Sequence, residues 1–88
     1  MPTPRRRAAA LHYEGGDGAP TVVAAGQGHV ADRIVELARE AGVPVREDRL
    51  LAEALSALEV GSQVPEALYR AVAEALVWAY RLGSRSAR

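Results

Sequence analysis

Gly26-Gln27-Gly28-His29-Val30-Ala31 is the stretch of this 88-residue chain whose spacing best suits chemistry. It fits G-x-G-x-x-A, the relaxed pattern of a dinucleotide-binding turn, and lies between an apolar run and a helical pattern. Glu47 and Asp48 follow about 20 residues on, where such a site places the acid that holds the ribose hydroxyls. There, backbone N–H groups and the positive helix end would cradle a pyrophosphate. Two properties oppose this reading. A doubly wound cofactor domain needs more strands than the chain can supply, and the acidic body repels phosphate. Turn geometry is the favoured account of the glycines, and a small nucleotide-binding protein the alternative.

The other reactive side chains form no recognisable constellation. His12 and His29 are the only histidines, and neither has a His, Cys, Asp or Glu partner at ligand spacing, so no metal site is expected. No serine stands in a nucleophile-elbow context, and there is no cysteine. Glu47 and Asp48 are adjacent and diverge in direction, which suits helix capping better than acid–base work. Neither an enzyme nor a cofactor is implied. Tyr69, Trp78 and Tyr80 are a candidate partner surface, with a helix-mediated scaffold that oligomerises through them as a further alternative, although Trp78 and Tyr80, two apart, cannot share one helix face.

The elements that must position these residues follow from periodicity. Residues 7–13, RAAALHY, read as a short strand, and the glycine-dense stretch from Glu14 to Pro20 as a hairpin loop. Thr21-Val22-Val23-Ala24-Ala25 predicts a buried strand. Val30, Ile34, Leu37, Ala38 and Ala41 fall on one face of a helix, which Gly42 would end in left-handed conformation. Val43-Pro44-Val45-Arg46 reads as a third strand, parallel to the second through a right-handed crossover. Asp48 caps a short helix with Leu50, Leu51, Ala54, Leu55 and Leu58 in its stripe. Pro65 opens a last helix to about Leu82, with Leu68, Val72, Ala75, Leu76 and Ala79 on one side. The expectation is one small α/β domain, a mixed sheet of about three strands with three helices in the order β-β-α-β-α-α.

Composition bounds the rest. With no phenylalanine and one tryptophan, the core must be built from alanine, valine and leucine. All eleven basic residues are arginine, and six of them, Arg5, Arg6, Arg7, Arg81, Arg85 and Arg88, lie near the ends. The body between residues 8 and 80 holds five arginines against all eleven acids, so it carries −6 between ends carrying +6. An acidic body argues against a nucleic-acid binder, which shows a basic face. No apolar stretch approaches the roughly 20 residues of a membrane helix. The chain reads as a cytoplasmic domain over residues 7–82 with flexible basic flanks at 1–6 and 83–88; solvated tails are the favoured account of the end arginines, and contact of Arg5–Arg7 with an acidic partner or phospholipid headgroups the alternative.

The stretches APTVVAAGQGHVADRIVELAREAGVPVRED, LLAEAL and EVGSQVPEALYRAVAEALVWAYRL, in that order, resemble the cytoplasmic C-terminal domain of the FlhB/YscU family, the substrate-switching component of flagellar and virulence type III export machines. The resemblance covers roughly residues 8 to 82. The Asn-Pro-Thr-His motif at which that family cleaves itself is replaced by Thr3-Pro4-Arg5-Arg6. The resemblance implies a non-cleaving, free-standing counterpart of the cleaved fragment, without the membrane-spanning half and open to recruitment to the membrane-embedded export gate. It also implies partners: export substrates of the rod and hook class, and export-apparatus proteins at the cytoplasmic face of the membrane. The family's apolar substrate-docking patch maps onto Ala19, Pro20, Ala73 and Leu76. Through its stretch EVGSQVPEALYRAVAEALVWAYRL, the resemblance leans toward the flagellar branch. Where the family often has Asp-Pro-Pro-Leu-Ala-Arg, this chain has Asp48-Arg49-Leu50-Leu51-Ala52-Glu53, a local surface of different charge and rigidity.

Overall fold

The computed structural model describes residues 6–16 and 18–86, with side chains described up to Leu82. Two strands, β1 (Arg7–His12) and β2 (Thr21–Gln27), form an antiparallel hairpin. Helix α1 (His29–Glu40) follows β2, then α2 (Arg49–Ser56), a 3₁₀ turn at Glu66–Leu68, and α3 (Tyr69–Ser86). The register pairs Ala10 with Ala24 and Leu11 with Val22, so Val23 is an extra residue in β2. That bulge lets Val22 be fully buried while Val23 stands half exposed.

The α/β class, the hairpin and the three helices are as expected; the third strand is not. Residues 43–48 carry no regular secondary structure, and among the described residues the sheet has two strands. Pro44 removes an N–H from the middle of a four-residue stretch, and Val43, Pro44 and Arg46 are all exposed, so neither pairing nor two-sided burial favours a strand. The link before the last helix occupies an edge of β2 instead. Val22 N–H donates to the Ser62 carbonyl at 2.9 Å, Gly61 N–H to Val22 at 2.7 Å, and Val64 N–H to Pro20 at 2.8 Å. Thr21 and Gln63 complete an isolated antiparallel bridge. In place of the expected parallel third strand, an extended link thus lies beside β2.

Local signals at the helix ends act as expected. Leu51 N–H donates to Asp48 Oδ1 at 3.1 Å, an N-cap that satisfies one of the helix's orphan donors. Gly42, at φ 75°, closes α1 with a paired set of bonds, Gly42 N–H to Arg39 and Val43 N–H to Ala38. Helix α3 continues through Gly83 to Ser86 instead of ending near Leu82. One glycine costs about 1 kcal/mol in a helix and does not by itself stop one. Of the expected flexible flanks at 1–6 and 83–88, residues 1–5 and 87–88 lie outside the described residues.

The core is one cluster of Val22, Leu51, Leu55, Val64 and Val72, with Leu58, Leu68, Ala71, Ala75 and Leu76 packed against it. It is built from aliphatic side chains, as the composition requires. The apolar face of α1 is turned from its expected orientation, and in the stripe of α2 one residue departs from it. On α1 Ala31 is the buried residue, whereas Val30 and Leu37 stand about half exposed. On α2 Leu51 and Leu55 are buried, while Leu50 is 78% exposed.

Candidate docking site

The glycine turn does structural work. Gly28 N-caps α1 at φ 62°, ψ −129°, a backbone region open to glycine alone, and no side chain caps the helix. Its N–H donates to the Arg6 carbonyl at 2.7 Å, so this donor is engaged by the chain itself. Gly26 lies directly under α1, and a Cβ there would overlap Val30 Cγ1. Asp32 sits in the first turn of α1, 3.3 Å from the Arg6 guanidinium, and its carboxylate would repel a phosphate at that helix end. These features fit a close helix–strand turn and oppose a pyrophosphate cradle.

Of the expected cleavage-site positions, Thr3, Pro4 and Arg5 lie outside the described residues. Arg6 is exposed, and its paired carbonyl and Asp32 contact hold it where the chain enters β1. His12 Nε2 approaches Glu14 Oε1 at 3.4 Å on the surface, and His29 opens α1 in exposed position. Among the described residues no three His, Cys, Asp or Glu side chains gather as a metal site.

Pro20 is buried and Ala19 half-buried beside it. The Pro20 carbonyl accepts the Val64 N–H, and Pro65, the next residue, leads into the 3₁₀ turn and α3. The end of the hairpin loop is thereby tied to the start of the last helix. Ala19 also borders a shallow depression of about 260 Å³ lined by His12, Tyr13, Glu14, Gly15, Gly18 and Thr21. Sequence reasoning did not anticipate these loop residues around Ala19; the hairpin pairing of His12 with Thr21 brings them there.

On α3, Val72 is buried and Leu76 half-buried against the core, while Ala73 faces solvent. Successive helical residues turn by about 100°, so Tyr69, Ala73, Leu76 and Tyr80 fall within about 60° of one another, along one edge of the packed face. Trp78 lies about 160–180° away from both tyrosines. The three aromatic residues therefore do not form one surface. Tyr69 and Tyr80 are 43% and 61% exposed and share a side with Ala73, whereas Trp78 is half-buried on the opposite side.

This arrangement has known relatives. The profile of the FlhB HrpN YscU SpaS family matches residues 2–79. Protein YlqH of Bacillus subtilis (strain 168), itself described as uncharacterized, is 54% identical over 81 residues, which cover 91% of this chain and 87% of that protein. The flagellar biosynthetic protein FlhB of Yersinia enterocolitica is 48% identical over 81 residues, 90% of this chain but 21% of FlhB. The chain thus spans about a fifth of the length of that relative. Among solved structures, a mutated EscU C-terminal domain superposes with a TM-score of 0.80 at 31% identity, over 86% of this chain and 94% of that one. The PscU C-terminal domain gives 0.78 at 32% identity, over 85% of this chain and 98% of that one. Among the described residues no helix is long and apolar enough to cross a membrane.

Proposed function

Because the chain belongs to the FlhB HrpN YscU SpaS family, we propose that it is a non-catalytic component of the flagellar type III protein export apparatus, docking export substrates or apparatus partners and contributing to substrate-specificity switching. One observation carries the docking assignment: the Pro20–Val64 bond joins the Ala19-Pro20 loop end to the segment that leads into α3, the helix that presents Ala73 and Leu76. Small residues at Ala19 and Ala73 leave room above the surface, and Leu76 supplies an apolar wall. That chemistry suits weak docking of a short hydrophobic segment of a rod- or hook-class substrate.

The test is an NMR shift titration of the labelled protein with the N-terminal segment of a hook-class export substrate. Shifts are expected to cluster at Ala19, Ala73, Leu76 and the neighbours of Pro20. Ala73→Asp, at an exposed position that leaves the core intact, is expected to weaken binding more than about tenfold, since a carboxylate must be desolvated against an apolar partner. Leu76→Asp should do the same, with some loss of stability because Leu76 also packs on the core. Binding unchanged in Ala73→Asp would remove these residues from the docking site.

The self-cleavage chemistry of the family has no route here. It needs an asparagine side-chain amide to attack its own backbone carbonyl; Thr3 has no amide nitrogen, and Arg6 replaces the assisting histidine. Mass spectrometry of the purified protein after prolonged incubation is expected to give one intact species. A fragment beginning at Pro4 would contradict the assignment.

A further inference from the structure

We propose that the outer edge of β1 is a self-pairing surface, to which β1 of a second copy of this chain adds in antiparallel direction about a two-fold axis at Ala10. Among the described residues the sheet has two strands and the extended link lies along β2, so β1 faces no strand on its other side. Open strand edges are usually guarded by charge, proline or a bulge. Here the run from Ala8 to Leu11 holds neither charge nor proline, and the extra residue of the register lies in β2. Two sets of contacts fix which backbone groups point outward. Gly28 N–H donates to the Arg6 carbonyl, and Leu11 stands opposite Val22, whose own N–H and carbonyl are both given to the link. In an antiparallel ladder the residues bonded to the neighbour alternate. Arg6, Ala8 and Ala10 therefore turn their backbone groups to β2, and Arg7, Ala9 and Leu11 turn theirs to the open side.

Parity and charge select the occupant and its register. Bonding requires outward residues to meet outward residues, which puts the two-fold axis on a residue and not between two. With the axis on Ala10, Ala9 meets Leu11 of the second copy, Ala10 meets its own counterpart, and Arg6 stands opposite Glu14 at both ends. An axis on Ala9 sets Arg6 against His12 instead, and one on Leu11 sets Glu14 against Ala8. Of the three, the Ala10 register alone joins opposite charges among the described residues. Alternation places these side chains together on the α1 face of β1: Ala8 pairs with Gly26 beneath α1, Arg6 reaches Asp32, and His12 reaches Glu14. The Arg6 and Glu14 side chains are 64% and 86% exposed, so both can turn to a second copy. Ala10 suits the axis, because a pair without mutual bonds brings its Cα atoms to about 4.5 Å and favours small side chains. A single strand pairing covers less than the roughly 800 Å² per partner of a standard interface, so the dimer is weak, with a Kd on the order of 100 µM.

The experiment is sedimentation equilibrium of the full chain from about 10 µM to about 1 mM, with amide exchange read by NMR over the same range. Wild type is expected to pass from monomer to dimer. Glu14→Arg, which sets arginine against arginine at both ends, should weaken the dimer more than about tenfold, and the double change Arg6→Glu with Glu14→Arg should restore it to within about threefold of wild type. Because Arg6→Glu also faces Asp32, thermal midpoints taken at the lowest concentration separate that local cost from the pairing. The Ala9 and Leu11 amides should gain protection as the concentration rises, whereas those of Ala8 and Ala10, already bonded to β2, should keep theirs. A synthetic peptide of residues 6–14 is the second probe and should protect the same two amides. A chain that stays monomeric at about 1 mM overturns the proposal; peptide protection of Ala9 and Leu11 in that case would mean that the edge takes a lone strand and the domain body excludes a second copy. A dimer indifferent to Glu14→Arg, with Ala9 and Leu11 unprotected, places the contact elsewhere and overturns it equally. No export substrate enters the test, so neither result bears on the docking reading.

Discussion

Gly26→Ala is expected to lower the unfolding free energy by about 1–2 kcal/mol, and Gly26→Val by about 3 kcal/mol or more, read as a lower urea midpoint with an unchanged slope. The added Cβ would overlap Val30 Cγ1 and stand 2.8 Å from Val30 Cβ. Rotating Val30 moves Cγ1 away, but its Cβ is fixed by the α1 backbone, so the helix itself must retreat from β2. Overpacking of this kind costs about 1–3 kcal/mol. Gly26 is not among the residues with positive φ, so alanine meets no backbone strain there and recovers about 0.4–1 kcal/mol from the unfolded chain. The net cost is a substantial share of the roughly 4–13 kcal/mol expected for a domain of this size. The same variants separate helix packing from nucleotide binding: the loss should appear without any ligand, and neither NADH nor ATP should raise the thermal midpoint of the wild type. A Gly26→Ala protein as stable as wild type, or a nucleotide that stabilises wild type alone, would restore the cofactor reading.

What could be read in the sequence was whatever is decided within a turn or two of chain. Asp48 as an N-cap and Gly42 as a helix terminator are set by a few neighbouring backbone groups, and both act as their residue types dictate. The packed face of α3 was legible because a long helix repeats its pattern enough times to fix the register. The short elements were not. A four-residue stretch such as Val43-Pro44-Val45-Arg46 becomes a strand only if a neighbouring edge accepts it, and nothing local states that residues 61–64 take an edge of β2. In α2 the adjacent Leu50 and Leu51 match the same pattern, and only tertiary packing decides which is buried. The proposed docking residues Ala19, Pro20, Ala73 and Leu76 are implied by resemblance rather than by residue chemistry, since alanine and proline carry no chemical signature. That Tyr69 and Tyr80 share one side of α3 was within reach of sequence counting, because residues eleven apart return to one side of a helix.

The burial difference within α2 gives the sharpest stability contrast in the molecule. Leu55→Ala is expected to cost about 2–4 kcal/mol and Leu50→Ala less than about 0.5 kcal/mol, although both remove the same atoms from one eight-residue helix. Leu55 is 4% exposed and belongs to the cluster with Val22, Val64 and Val72; truncating it removes apolar burial and leaves a cavity that rigid β-sheet neighbours only partly close. Leu50 at 78% exposure has little burial to lose. Urea unfolding of the two variants measures the difference directly. Equal losses would mean that α2 is rotated by about one residue, or 100°, from the orientation described. The Leu55 effect should also reach the proposed docking surface. Val64 shares the core cluster with Leu55, and its N–H holds the Pro20 carbonyl, so the cavity weakens the packing behind the loop end that carries Ala19. Hydrogen exchange at the Val64 amide should therefore quicken in Leu55→Ala and stay at the wild-type rate in Leu50→Ala, since only the first change alters the cluster that keeps this bond closed.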